Sequence, residues 1–189
     1  MSRYFPTISL LLLSCLFALE GFAGERIYQA PQAFVAEVFA DTPPAPRSLW
    51  ITGERRKQVE AILGRRPRGL RVRYWQHADT TRNLHRSAWI LEAIGKEKPI
   101  TVGVVVRDGR IEQIKVLVFR ESRGQEVQRP AFTAQFRDAQ LDENRQLDRS
   151  IDGITGATLS VRALKKLARL ALFYAGQVAQ QERSGHDAP

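Results

Sequence analysis

The residues best placed for chemistry are the hydroxyls, glycines and carboxylate of Asp152–Ser160, DGITGATLS, which stand directly ahead of the apolar and basic run VRALKKLARLALFYAG. A helix start leaves its first backbone N–H groups without intrahelical partners, and glycines such as Gly153 and Gly156 clear the approach to them. An anion is welcome at such a place. The simpler reading is that Thr158 or Ser160 N-caps the helix, and Asp152 and Thr155 equally suit a turn. A second polar stretch, Glu121–Gly124, ESRG, follows the central apolar segments.

Much other chemistry is excluded. The chain has one cysteine, Cys15, so a disulfide, a thiolate nucleophile away from that position, an iron–sulfur cluster and a c-type haem attachment are not expected. His77, His85 and His186 show no metal spacing and no HExxH pattern, and no metal site is expected. Neither a Ser, His and Asp set nor a convincing carboxylate pair is present, so no catalytic residue is assigned. A redox half whose substrate site lies on a partner stays open. No GxGxxG or GxxxxGK[ST] is found either.

The elements that must position these residues are legible from period and punctuation. Gln29–Arg47 predicts a short helix followed by a proline-rich linker at Pro43, Pro44 and Pro46. Thr52–Gly64 predicts a helix with Thr52 as N-cap and a closing glycine. Segments near Val72–Trp75, Ala88–Ile94, Ile100–Arg107 and Ile111–Arg120 are rich in β-branched and aromatic residues and predict strands, with a tight hairpin at Asp108 and Gly109. A short helix opens at Pro130, a loop covers Asp142–Arg149, and the closing helix sets Val161, Leu164, Leu167, Ala168, Ala171 and Leu172 against Arg162, Lys165, Lys166 and Arg169. The fold class is α+β, with a mainly antiparallel sheet, flanking helices and a long C-terminal helix.

With those elements around it, DGITGAT resembles the flavinylation motif of FMN-binding domains, in which an aspartate and two intervening residues are followed by serine or threonine, glycine, alanine and threonine. That family includes flavinylated components of the sodium-translocating NADH:quinone oxidoreductase and of the Rnf complex. ESRG is similar to the family's glutamate and glycine segment, and Gln135 and Phe136 end a similar phenylalanine-rich short helix. The family often has a second glycine soon after that segment, where this chain has Gln125, Glu126 and Val127. The likeness runs over about residues 89–175.

The resemblance implies FMN joined to Thr158 by a phosphoester, installed by an FAD:protein FMN transferase that reads Asp152, with Gly156 and Ala157 keeping the approach open and Thr155 near the phosphate. It implies Glu121, Arg123 and Gly124 in the flavin pocket. Arg120 and Arg123, if near the ring, favour the anionic reduced form; solvated strand-end charges are the alternative. Trp50, Trp75 and Trp89 are candidates to cover the ring or to fill the core. An electron-transfer flavoprotein passing electrons between membrane or periplasmic donors and acceptors is the function implied.

The N-terminus supports export. Arg3, an apolar run of about twelve residues, and GFA ending at Ala23 read as a signal peptide over residues 1–23. Acylation at Cys15, as in a lipoprotein, is the alternative. The expected mature organisation is an N-terminal helical segment and linker over 24–69, an FMN-binding domain over 70–182 and a frayed tail over 183–189. The formal charge of +9 would suggest nucleic acid in a cytosolic protein, with Arg65–Tyr74 as the basic stretch. Export argues against nucleic acid and leaves the alternative function, a non-redox binding module whose basic face docks an anionic partner or membrane surface.

Overall fold

The computed structural model describes residues 24–79 and 84–186. The signal segment, Cys15 with its alternative acylation, and the last three residues of the tail lie outside the described residues. Six strands form one antiparallel sheet: β1 (Arg26–Ile27), β2 (Arg47–Trp50), β3 (Arg71–Asp79), β4 (Leu84–Ile94), β5 (Pro99–Arg107) and β6 (Arg110–Phe119), in the spatial order β1-β6-β5-β4-β3-β2. The helices are α1 (Pro31–Val38), α2 (Gly53–Leu63), α3 (Pro130–Thr133) and α4 (Thr158–His186). The α+β class with a long C-terminal helix is thus observed. β3–β6 are the strands that the sequence predicts; β1 and β2 are additions from the segment read as helix and linker.

Alternation along the central strand divides the core into two layers. Ile100, Val102, Val104 and Val106 of β5 face α4 and join Trp89, Phe119, Phe136 and Tyr174 there. On the other face Val105, Ala88 and Leu117 pack under Phe34, Val35 and Val38 of α1. Gly103 makes that contact possible, because a Cβ on it would lie 2.5 Å from Cε1 of Phe34. Asp108 and Gly109, with φ of 50° and 76°, make the tight β5–β6 turn that their pairing predicts.

α4 carries the predicted apolar face: Leu164, Leu167, Ala168 and Ala171 are each fully buried against the sheet. Its basic face is less solvated than the pattern implies. Lys166 Nζ donates to the Leu63 carbonyl at 2.9 Å, at the end of α2 where carbonyls lack intrahelical partners. Arg169 Nε donates to the Arg145 carbonyl at 2.6 Å and so ties α4 to the loop ahead of it. The helix continues to His186, through positions where the sequence predicts fraying. Glu182 clasps its far half to the sheet, pairing with Arg47 at 2.8 Å and accepting from Gln76 at 2.9 Å. Among the described residues no helix is long and apolar enough to cross a membrane.

Candidate functional site

The start of α4 and the chain just beyond β6 meet. Ile151 is buried and anchors the stretch ahead of α4, while the Asp152 N–H donates to Gln135 Oε1 at 2.8 Å. The Ala157 N–H donates to the Ile154 carbonyl at 2.9 Å, closing a turn in which Gly156 takes φ 81°. That left-handed conformation suits glycine. A Cβ on Gly153 or Gly156 would meet nothing within 4 Å, so space around both is left open by the fold itself.

Capping is settled by register. Thr158 is the first helical residue, and the Val161 N–H donates to the Ala157 carbonyl at 2.9 Å, which places Ala157 at the N-cap position. Alanine has no oxygen with which to cap. Neither Thr158 nor Ser160 stands where a capping side chain must, and among the described residues no acceptor reaches the N–H groups of residues 158–160. The helix therefore presents uncapped donors and the positive end of its dipole beside an exposed threonine hydroxyl.

Opposite lies Glu121–Gly124. Gly124 takes φ 86°, and a Cβ on it would lie 2.6 Å from Ser160 Oγ and 3.4 Å from Ala157 Cα. A glycine lets the two stretches close to this distance without displacing the Ser160 hydroxyl. Between them is a cleft of about 570 Å³, lined on one side by Glu121, Ser122 and Arg123, on the other by Gly156–Ser160, and at its end by Lys96. Arg123 and Lys96 are exposed cations at the cleft. Lys96 Nζ pairs with Glu97 at 2.9 Å, which raises the Lys96 pKa.

Glu121 does a different task from its neighbours. It is 4% exposed, and its Oε1 accepts from the backbone N–H groups of Glu97 at 2.7 Å, Lys98 at 2.9 Å and Lys96 at 2.5 Å. It staples the β4–β5 turn, and through that turn it places Lys96. Gly95 makes room for it, since a Cβ there would be 2.8 Å from the same oxygen.

Of the residues singled out in the sequence, Gly156, Ala157, Thr158, Glu121 and Arg123 line the cleft, and Gly124 supports its wall. Asp152 and Thr155 are exposed on the approach and do not line it. Arg120 is turned to the other face, where it pairs with Glu25 at 2.8 Å and donates to Thr101 Oγ1 at 2.9 Å. It is not a cleft residue. Trp89 is fully buried, stacked on Tyr74 at 4.8 Å and 5.6 Å from the Tyr174 ring, so it is core. Trp75 packs in the α1 layer. Trp50 is 56% exposed beside Arg55, whose Nε donates to Gln177, about 30 Å along α4 from Thr158. No tryptophan therefore covers the cleft.

Lys96, Ser122 and Leu159 line the cleft without having been marked by the sequence. Leu159 did carry a signal: it is apolar, off the buried face of α4, and 42% exposed.

Residues 95–172 match the model of the FMN-binding domain, so the resemblance read from DGITGAT is borne out and FMN is the cofactor this match supports. The matched stretch begins at the glycine over Glu121 and ends within α4, which encloses both walls of the cleft. Comparison with curated proteins and with solved structures gives no match. The cleft also fits a phosphate-bearing flavin on its own terms: uncapped N–H groups, two cations, and a backbone approach that any Cβ on Gly124 would fill.

Proposed function

We propose, taking residues 95–172 as an FMN-binding domain, that the protein is an exported electron-transfer flavoprotein carrying FMN on the Thr158 hydroxyl through a phosphoester. The observation that carries the reading is the position of Thr158: an exposed hydroxyl on the first residue of a helix whose N-cap is an alanine, in a cleft with two cations. Uncapped N–H groups and the helix dipole favour the charge that a phosphodiester retains. Open space at Gly153 and Gly156 suits access by a modifying enzyme, the FAD:protein FMN transferase, and Asp152 and Thr155 stand exposed where that enzyme reads the loop.

FMN when bound accepts and gives one or two electrons. The chain's own part is to hold and to bias. Lys96 and Arg123 put positive charge at the cleft, which favours an anionic reduced ring, and Leu159 offers an apolar surface beside the attachment point. Donor and acceptor are redox proteins of the membrane or periplasm in this reading, with no nucleic acid.

Co-expression with an active flavin transferase tests it. After denaturing electrophoresis the wild-type band should fluoresce as flavin and the Thr158→Ala band should be dark. A dark wild-type band, with the transferase active on a control substrate, would overturn the covalent reading and favour the non-redox binding module. Mass spectrometry of the peptide spanning residues 150–162 should place the added FMN on Thr158 rather than Thr155 or Ser160.

A further inference from the structure

Away from the cleft, α1 covers the outer face of β4–β6 and, with Phe39, the far part of β3 at Trp75 and His77, and leaves the outer face of β2 and the first residues of β3 bare. Trp50 is the register partner of Arg71, and Ser48 that of Arg73. Directly opposed residues of antiparallel strands show their side chains on one face. Leu49 and Val72, one residue along, turn inward to the α4 layer. Trp50, Arg71 and Arg73 therefore share one exposed face. Leu70, 52% exposed, precedes Arg71 at the same corner of the sheet; its carbonyl accepts from the N–H of the buried Ile51 at 2.7 Å, so it stands on the α4 side of that corner.

Charge makes this face unlike the other side of the sheet's edge. Residues 64–73, GRRPRGLRVR, hold five arginines and no acid. On the central strands Arg86 and Arg107 share Glu112 at 2.6 and 2.8 Å, and Arg120, just past β6, holds Glu25. Among the described residues Arg68, Arg71 and Arg73 have no acidic partner. Unpaired arginines beside a large aromatic and a leucine, both half-exposed, are the composition of a surface that meets phosphate headgroups with its charges and the acyl boundary with its apolar tips.

We propose that this corner of the sheet, where β2 ends and β3 begins, docks the protein on an anionic phospholipid bilayer. Arg68, Arg71 and Arg73 take the headgroup phosphates, and Trp50 and Leu70 enter the interface. Nucleic acid would use the arginines but leaves Leu70 without a role. Docking rests on a different face from FMN attachment, so either can fail while the other stands.

Vesicle flotation of the purified protein tests it. Binding to phosphatidylcholine vesicles containing about one-third phosphatidylglycerol should be strong and salt-sensitive, and binding to pure phosphatidylcholine weak. Each arginine is expected to contribute roughly fivefold, so Arg68→Gln, Arg71→Gln and Arg73→Gln together should weaken binding about a hundredfold. In the unaltered protein, brominated acyl chains should quench tryptophan emission, and Trp50→Phe should abolish that quenching, a readout independent of whether the triple variant folds. Equal binding to neutral vesicles, no quenching, or a preference for single-stranded DNA over anionic vesicles would overturn the proposal.

Discussion

Gly124→Ala tests the closure of the cleft wall on Ser160. In wild type the backbone at this position has φ 86°, and an added Cβ would sit 2.6 Å from Ser160 Oγ but 3.4 Å from both Cα and Cβ of Ala157. Two separable costs follow. Left-handed backbone costs an alanine about 1 kcal/mol. Driving the buried Ser160 hydroxyl off its rotamer adds about 1 kcal/mol more, while the contacts with Ala157 are close to ordinary packing. The variant should lose about 2 kcal/mol, which for a chain of this size lowers Tm by roughly 4–8 °C. Adding Ser160→Ala removes the atom that is struck and leaves only the backbone strain. The double variant should therefore recover about half of the loss, measured by urea titration followed by circular dichroism. If Ser160→Ala restores nothing, the steric reasoning is wrong and the two stretches do not meet as described.

Glu121→Ala leaves three N–H donors of the β4–β5 turn without their acceptor and should cost about 2–3 kcal/mol, whereas Glu121→Gln, which keeps an acceptor oxygen, should cost clearly less; equal losses in urea titrations would deny the staple. Glu112 predicts an acid limb: burial pushes its pKa up, but the hydrogen bond and charge of Arg86 and then Arg107 outweigh this and hold it below 4.5. A lowered folded-state pKa means stability that is complete above the unfolded value and lost as pH falls through the folded one. The gap in stability between wild type and Glu112→Gln should therefore be open at neutral pH and close as the pH falls below the ordinary carboxylate range, through the lowered folded-state pKa.

How far the sequence discloses the molecule depends on the range of the forces involved. The four long strands, the Asp108–Gly109 turn and α4 are set by local period and turn chemistry, and each is readable. β1 and β2 are not, because two and four residues carry too little pattern, and the burial of β2 shows a single inward residue, Leu49. Thr158 is readable because its motif is contiguous. Arg120 misleads for a specific reason: register shifts on the β5–β6 ladder interrupt the alternation, so Val116 and Phe119 both face α4 with Leu117 and Val118 between them on the other face, and Arg120 turns away. The staple made by Glu121 is not readable, because its partners are backbone N–H groups some two dozen residues upstream, which leave no mark on side-chain pattern.

Gly153 and Gly124 share a residue type but answer to different constraints. At Gly124 a side chain costs stability, through φ 86° and the Ser160 hydroxyl it would displace, while at Gly153 nothing stands in its way. A lineage selected only for a folded protein would be free to change Gly153 and bound to keep Gly124. Within a stretch whose other members Ile151, Gly156 and Ala157 are held by burial and by a left-handed turn, Gly153 is thus a place the fold leaves open, and a constraint on it can come only from something that reaches it from outside.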